Sequence, residues 1–379
     1  MRIAVIGGGP GGLYFAYLWK KRHPDAVLDL FEQNPAGATW GFGVVFSDQA
    51  LEFLRADDAE TVDAITPRME SWENITLYLR GEAVALDGVG FSSIGRLELL
   101  TILQQRASAV GVTPRYDTLV QSVDDLKGYD LIVAADGLNS LVRRGFEGDF
   151  GTSLSYSSNK FAWYGVSKRF ETLSQTFVKT ERGAFNAHHY RYSSSMSTFL
   201  VECDRATWEA YGFAYKDVDQ SKAVCEEVFA DTLGGRPLLS NKSVWRNFPW
   251  IWNEHWSFKN MVLIGDALHS AHFSIGSGTR LAIEDAIALV KALETEAHVT
   301  TALARYEAER KPIVKKLVTA ARTSADWYAK FPEHMKLDPV DFAYSYITRS
   351  GRIDDSRLRA MSPGFMARYE ASKKDAGQP

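Results

Sequence analysis

The chain opens on a short apolar run, Ile3-Ala4-Val5-Ile6, that breaks into Gly7, Gly9 and Gly12 at G-x-G-x-x-G spacing. Few features restrict a fold more. Gly7 permits a tight turn out of a strand, Gly9 has no Cβ to hold off a pyrophosphate, and Gly12 lets the next helix pack on the strand. Leu13–Lys21 reads as that helix, and its N-terminus offers free N–H groups to an anion. A second apolar run, AVLDLF, ends at Glu32, roughly twenty residues past the last glycine, where a carboxylate accepts from ribose hydroxyls. Gln33 follows in the same turn. Strand, glycines, helix, strand and acid in that order make a βαβ unit that binds a dinucleotide. This unit alone does not separate FAD from NAD(P).

The 379 residues suffice for two domains, or for one domain with a large insertion. A net charge of −4 leaves no global footprint for nucleic acid or an anionic membrane, so an anionic substrate must meet a local basic patch. The apolar start is too short to span a bilayer and runs straight into the glycine turn. Cys203 and Cys225 form neither a metal nor a C-x-x-C spacing, and two thiols in such a chain fit a reducing cytoplasm. The expectation is a cytoplasmic monomer or homodimer without metal, nucleic-acid partner or stable membrane association. Aromatic residues make up 12% of the chain, which suits a pocket for a flat substrate as well as an ordinary core.

After Glu32 come a glycine-punctuated loop, an extended run Val44–Phe46, and a helix expected to be capped by Ser47 or Asp48. Arg80-Gly81 sits between two alternating runs and reads as a hairpin turn. An amphipathic helix opens on Arg96, with Leu97, Leu100, Leu103 and Ala107 on one face. Leu131–Ala135 reads as a buried strand. From Lys160 to Cys203, aromatic and β-branched runs alternate with turns, the pattern of antiparallel strands, and a helical stretch over Ala206–Leu233 follows. The tail after Ser350 is charged, and its KKDAGQP end should fray. The fold class is α/β: a dinucleotide-binding Rossmann-like domain in several segments, an inserted antiparallel substrate sheet and C-terminal helices. The expected boundaries are 1–75, 96–155 and 258–330 for the nucleotide-binding segments. A substrate-domain hairpin covers 76–95, the β-rich substrate domain 156–257, and a helical tail 331–379.

Two more turns bear on the cofactor. DLIVAADGLNSLVR carries Asp136 and Gly137 after a strand, with Ser140 and Arg143 beyond. VLIGDALHSAHFSIGSGTRL carries Gly265-Asp266, then Gly276, Gly278 and Thr279. Asp266 ends a strand, where it can accept from a ribitol hydroxyl. Gly276 and Gly278 let the chain pass close to a flat ring, and the positive end of the next helix stabilises a reduced, anionic flavin. Arg96, at its helix start, reaches toward the pyrophosphate. Together the three turns resemble the FAD fingerprints of the single-component aromatic hydroxylases of the p-hydroxybenzoate hydroxylase fold, over residues 1 to about 325. The resemblance implies that Gly7, Gly9, Gly12, Glu32, Arg96, Asp136 and Asp266 hold FAD, and that NAD(P)H visits without a second Rossmann domain. It also implies the chemistry: NAD(P)H reduces FAD, O2 forms a flavin C4a-hydroperoxide, and an activated aromatic ring attacks its distal oxygen.

One departure narrows the group. Members often carry proline in the loop after the Gly-Asp turn, and this chain has His272-Phe273 there. The segments GFGVVFSD, WRNFP and FAYSYITRSGRI resemble the salicylyl-CoA 5-hydroxylase group and the hydroxylase half of 2-aminobenzoyl-CoA monooxygenase, with violacein-pathway tryptophan hydroxylation second. That implies a small aromatic substrate, in the leading form a CoA thioester. A free indole or other aromatic, or a flavin dehydrogenase without oxygen chemistry, is the alternative. Candidate bases are His272, His188 and His189; the last two fall on opposite faces of a strand, so only one should point inward. Tyr190, Phe46, Phe273 and Arg246 are candidate substrate contacts; Arg280 and Arg246 are candidate anchors for an acyl-CoA phosphate or a carboxylate, and Phe42, Val45 and Phe46 are expected along the isoalloxazine side or in the core. His269 reads better as a loop brace. Glu284-Asp285 diverge by about 100° on a helix and are no facing acid pair.

Overall fold

The computed structural model describes residues 1–47 and 51–376. The strand Arg2–Ile6 forms the centre of a five-stranded sheet, parallel to Val27–Phe31 on one side and Leu131–Ala134 on the other. Met261–Leu263 extends it in parallel, and Ser257–Phe258 closes the edge antiparallel. Ile3 to Ile6 are all buried, as expected for a parallel strand covered on both faces. The helix Pro10–Arg22 packs between Arg96–Ala109 and Gly278–Thr295. On Arg96–Ala109 the buried face is Leu99, Leu100, Ile102, Leu103 and Ala107. Leu97, expected on that face, is instead 46% exposed. It belongs to the first turn, where the helix has not yet reached the packing contact. The cap expected at Ser47 is not made: Ser47 ends the strand Gly43–Ser47, and the helix Glu52–Ile65 begins after Leu51 with no side-chain cap. Asp48 and residues 377–379 lie outside the described residues, and residues 373–376, expected to fray, continue the last helix.

The second sheet has eight strands, with Gly183–Arg191 between Leu173–Thr180 and Ser197–Cys203, all antiparallel, and Thr152–Val166 beyond. The hairpin Ile75–Leu79 and Glu82–Leu86 turns at Arg80 and Gly81, both with positive φ, which matches the twist of paired strands. It joins the sheet in parallel with Leu173–Thr180. One face is covered by the helices Arg205–Ala210, Val218–Val228 and Ala230–Leu233, through Phe185, Phe199, Phe213 and Phe229. The other face looks toward the long helix Val299–Ala329 and the loop after Asp266. Covering on both sides is why Ser197–Cys203 is buried at all seven positions.

A three-stranded sheet of Gly43–Ser47, Phe91–Gly95 and Glu70–Trp72 lies between the two larger ones in the chain's path. The C-terminal helices Pro339–Thr348, Asp355–Met361 and Pro363–Ala376 pack on the hairpin, Phe342, Tyr346, Leu358 and Phe365 sharing a core with Leu77 and Leu86. Asp87 caps the last of them, accepting from the Gly364 and Phe365 N–H groups at 3.0 and 2.7 Å. Among the described residues, no helix is long and apolar enough to cross a membrane. Cys203 and Cys225 are free and buried.

Candidate active site: a cofactor cleft beside an aromatic wall

The opening glycines divide by what surrounds them. Gly7, at φ 103°, could carry no Cβ without striking the Ala135 carbonyl, and a Cβ on Gly12 would collide with the Gly7 oxygen. A Cβ on Gly9 would meet no atom within 4 Å. Two glycines therefore serve packing and the middle one leaves an open approach. The helix Pro10–Arg22 begins there with no side-chain cap, so its first N–H groups face the opening. Glu32 closes the adjacent edge: Oε2 accepts from Gly8 N–H at 2.7 Å, and Oε1 accepts from the backbone and side chain of Asn34. Gln33 is exposed beside it.

Three charged groups line the cleft with unspent hydrogen-bonding capacity. Arg96 Nε is buried without a partner. Burial pushes this guanidinium below its ordinary value, and the Asp266 charge opposes that shift. Asp136 accepts from Leu141 N–H at 2.7 Å through Oδ2, while Oδ1 is buried and unpartnered. Burial raises Asp136, against the hydrogen bonds from Ser140 and Leu141. Asp266 makes no side-chain hydrogen bond among the described residues; burial raises it as well, against the His269 and Arg96 charges. It is nonetheless accessible to solvent, as a residue lining an interior cleft is. Each unpaired buried polar group costs about 1–3 kcal/mol. A ligand bearing phosphates and hydroxyls relieves that cost, and FAD fits this donor and acceptor set.

The Gly265-Asp266 turn is held from behind. Asp285 accepts from Gly265 N–H at 3.0 Å, pairs with His269 Nε2 at 2.8 Å, and accepts from Arg310 Nε at 2.9 Å. Burial would raise Asp285, yet His269 and Arg310 outweigh it and hold the group below its ordinary value. His269 is thus the expected brace. Glu284 is held by Arg280 and shares the Arg310 guanidinium with Asp285, so both acids are engaged in ion pairs with arginine and not with each other. Gly276, at φ 61°, approaches Val45 closely, and Gly278 and Gly137 have open space where a Cβ would be. The helix Gly278–Thr295 starts without a side-chain cap, with Thr279 half-buried in its first turn.

Beside this cleft stands an aromatic wall. Phe273 contacts Phe161, with ring centroids 4.9 Å apart, and meets His188 edge-on at 5.4 Å. His272 is buried among Phe248, Trp250 and Phe273, its Nδ1 accepting from Ser274 N–H at 3.3 Å. Burial lowers His272 to about 4, so it is neutral at pH 7. Tyr190 donates to the Gly43 carbonyl at 2.9 Å and lies near Arg96, which ties the sheet to the cleft; burial raises it to about 12.

Several expected site residues lie elsewhere. Both His188 and His189 are buried, because helices cover the sheet face that strand alternation assigns to solvent. His189 belongs to that helix-covered face, hydrogen-bonded to Thr176 Oγ1 at 2.8 Å and packed on Phe170 and Phe199. It is lowered to about 3 by burial and does not reach the wall. Phe46 is 2% exposed within the nucleotide-domain core; Val45, its neighbour on the other strand face, meets the Gly276 loop instead. Arg246 is exposed, and among the described residues its side chain makes one hydrogen bond, at 3.4 Å, to the Lys242 carbonyl.

Sequence reasoning missed Glu202, Asn159, Gln175 and Tyr328. Glu202 is 1% exposed, accepting from Asn159 Nδ2 at 2.8 Å and lying 3.3 Å from His188 Nε2. The signal was present: a carboxylate inside the apolar run STFLVEC must be partnered or face a cavity. Glu202, His272 and Trp250 line a cavity of about 250 Å³ between the Thr152–Val166 strand and the helix Val299–Ala329.

Similarity to known proteins agrees with this geometry. The FAD binding domain family matches residues 103–321. Salicyloyl-CoA 5-hydroxylase from a Streptomyces species is 38% identical over 98% of this chain and 73% of that protein. The 3-hydroxy-4-methyl-anthranilyl-[aryl-carrier protein] 5-monooxygenase of Streptosporangium sibiricum is 36% identical over 88% of this chain and 90% of its own length. Protodeoxyviolaceinate monooxygenase of Chromobacterium violaceum is 33% identical over 96% of each. The crystal structure of 2-methyl-3-hydroxypyridine-5-carboxylic acid oxygenase superposes with a TM-score of 0.72 at 18% identity, covering 92% of this chain and 96% of that one. The chain belongs to the FAD-dependent aromatic monooxygenases.

Proposed function

We propose that this protein hydroxylates the ring of an ortho-hydroxy or ortho-amino benzoyl thioester, with salicyloyl-CoA as the leading substrate. One observation carries the reading. Two relatives, aligned over 98% and 88% of the chain, are named for oxygenation at position 5 of a salicyloyl or anthranilyl thioester. The aromatic wall at Phe161, Phe248 and Phe273 supports it, since it offers a flat, apolar surface beside the cofactor cleft.

Gly9 and the uncapped helix start after it would seat the pyrophosphate with Arg96, Gly7 and Gly12 shaping the turn that keeps this approach open, and Glu32 would take the adenosine ribose. Asp266 and Asp136 would take cofactor hydroxyls, and Gly276, Gly278 and Thr279 would leave room for the ring system. When bound, FAD supplies the redox and oxygen chemistry, with NAD(P)H as reductant and O2 as co-substrate. The chain's own residues orient the ring and exclude water. His272, neutral at pH 7, adds no charge to the wall. Asp285 and His269 fix the Gly265-Asp266 turn, and with it the carboxylate that faces the cofactor.

The test is NAD(P)H oxidation by the FAD-loaded protein against salicyloyl-CoA, 2-aminobenzoyl-CoA, salicylate and tryptophan, with products identified by mass spectrometry. Salicyloyl-CoA should stimulate oxidation most and gain one oxygen. Stimulation by tryptophan alone contradicts the thioester reading and favours the second one, a free indole or other aromatic, in keeping with a relative named for oxygenation of protodeoxyviolaceinate.

A further inference from the structure

The chain leaves the helix Pro339–Thr348 through Arg349, whose side chain is spent on oxygens of the chain itself. Nε donates to Ser324 Oγ at 3.0 Å, Nη1 to the Tyr346 carbonyl at 2.6 Å and Nη2 to the Ser274 carbonyl at 2.8 Å. The guanidinium lies 3.9 Å from the centre of the Tyr346 ring, and Ser274 and Ser324 share a hydrogen bond of 2.8 Å. Ser274 follows Phe273 in the loop beside the cofactor cleft, so the tail is fastened to that loop where it begins. Gly351 then turns the chain at φ 68°, its N–H on the Thr348 carbonyl, and the next residue is Arg352.

Three arginines gather there. Arg352 and Arg357 are exposed, and Arg357 Nη1 donates to the Arg352 carbonyl at 3.3 Å. Among the described residues, neither guanidinium pairs with a carboxylate. Arg280 comes from the first turn of Gly278–Thr295, one residue past Thr279. Its Nε is on Glu284 at 2.7 Å and its guanidinium is 5.1 Å from the centre of the Phe53 ring. Among the described residues its Nη groups make no hydrogen bond. Burial pushes Arg352 below its ordinary value, and the Arg357 and Arg280 charges push it further. The two acids of the same stretch are engaged elsewhere. Asp354 accepts from Arg357 N–H at 2.8 Å as the cap of Asp355–Met361, and Asp355 takes the Tyr344 hydroxyl. Like charges held together repel, and a chain of net charge −4 has carboxylates enough to neutralise them. An excess of cations at the rim of a cleft is the arrangement that draws an anion.

We propose that Arg280, Arg352 and Arg357 seat the phosphates of an acyl-CoA at the rim of the cofactor cleft. This rests on the reading above that the substrate is a CoA thioester. The aromatic wall takes the ring, and the diphosphate and 3′-phosphate at the far end of CoA bring the negative charge that the cluster lacks. Guanidinium groups match phosphate oxygens two at a time, and the Nη groups of Arg280 and the whole Arg352 fork are free to do so. Arg349 is the positioning residue, since it fixes the tail to the loop that carries Phe273.

The experiment compares salicyloyl-CoA with the salicyloyl thioester of N-acetylcysteamine, which keeps the ring and the thioester and lacks every phosphate. The proteins are wild type, Arg352→Ala and the double variant R352E/R357E, all FAD-loaded. Wild type should favour the CoA thioester in kcat/KM, and the preference should shrink as salt rises. Arg352→Ala should cut that preference about 10-fold through KM, the scale of one charge-assisted hydrogen bond. R352E/R357E should abolish the preference and its salt dependence. Both variants should melt no lower than wild type, because like charges have been separated. A double variant with the wild-type preference overturns the proposal. So does a loss that falls on the KM of NAD(P)H, since the cluster then seats the phosphates of the reductant. Calorimetric titration with CoA itself needs no turnover and tests the cluster apart from the ring. Should neither thioester be turned over, the substrate reading fails alone if CoA still binds wild type and not R352E/R357E. A wild type that does not bind CoA overturns the phosphate seat.

Discussion

The cofactor cleft and the His188 face of the large sheet satisfy their polar groups in opposite ways. In the cleft, Arg96 Nε and Asp136 Oδ1 are buried without partners, and Asp266 has no side-chain hydrogen bond among the described residues. On the sheet, both His188 nitrogens and both Glu202 oxygens are engaged by Gln175, Asn159 and one another. The first region is finished by a ligand and loses free energy without one. The second is finished by the chain, so it is pre-organised before any substrate arrives. A bound cofactor completes the first arrangement, and the second gives the wall beside it a fixed shape.

The largest effect should come from breaking the cleft's backbone. Gly12→Val drives side-chain atoms into the Gly7 carbonyl and the Ala135 side chain. It should yield no folded protein with FAD absorbance, whereas a variant that retains stoichiometric flavin would contradict the packing role. Arg96→Ala comes next. A charge-assisted hydrogen bond is worth about 1.5–3 kcal/mol, which predicts FAD binding about 10- to 100-fold weaker by fluorescence titration. The melting temperature without FAD should stay level or rise, since a buried unpaired cation has been removed.

The two histidines test the sheet directly. His188→Phe removes a partner of the buried Glu202 beside Phe273 and should lower both the melting temperature and substrate-stimulated turnover with FAD still bound. His189→Phe, on the helix-covered face, should leave kcat within about twofold, and equal losses from both would erase the distinction between the faces. The pH dependence of stability follows from the same burial. His189 and His272 are lowered to about 3 and about 4, so between pH 6.5 and 4 the unfolded chain takes protons that the folded chain refuses. Stability should therefore fall as pH drops through that window, read as a declining melting temperature, and His189→Phe should flatten the decline. The smallest effect belongs to Arg246→Ala, where stability should move by less than about 0.5 kcal/mol and KM hardly at all. A large rise in KM would put this exposed arginine back at the substrate.

The same contrast explains what could be read from the chain. Gly7, Gly9, Gly12 and the Gly265-Asp266 turn act through backbone geometry, and backbone geometry leaves a spaced trace in one dimension. His188, Glu202 and Asn159 come from three different strands and meet only through sheet register, which no local pattern records. Alternation separated His188 from His189 correctly, but it carried no information that helices cover both faces. Phe46 was misplaced for a related reason, since an aromatic after a glycine loop looks the same whether it lines a pocket or fills a core. Glu202 was the legible exception, a lone acid within a run of buried residues.

The proposed activity of this flavoprotein is insertion of oxygen into an aromatic thioester. The most direct test is turnover of salicyloyl-CoA by the FAD-loaded protein under 18O2, with NAD(P)H as reductant and mass spectrometry of the product. One 18O atom in the ring, with NAD(P)H consumed in step, is the predicted result. NAD(P)H consumption that yields only peroxide or a reduced ring, with no label in the aromatic product, would contradict it.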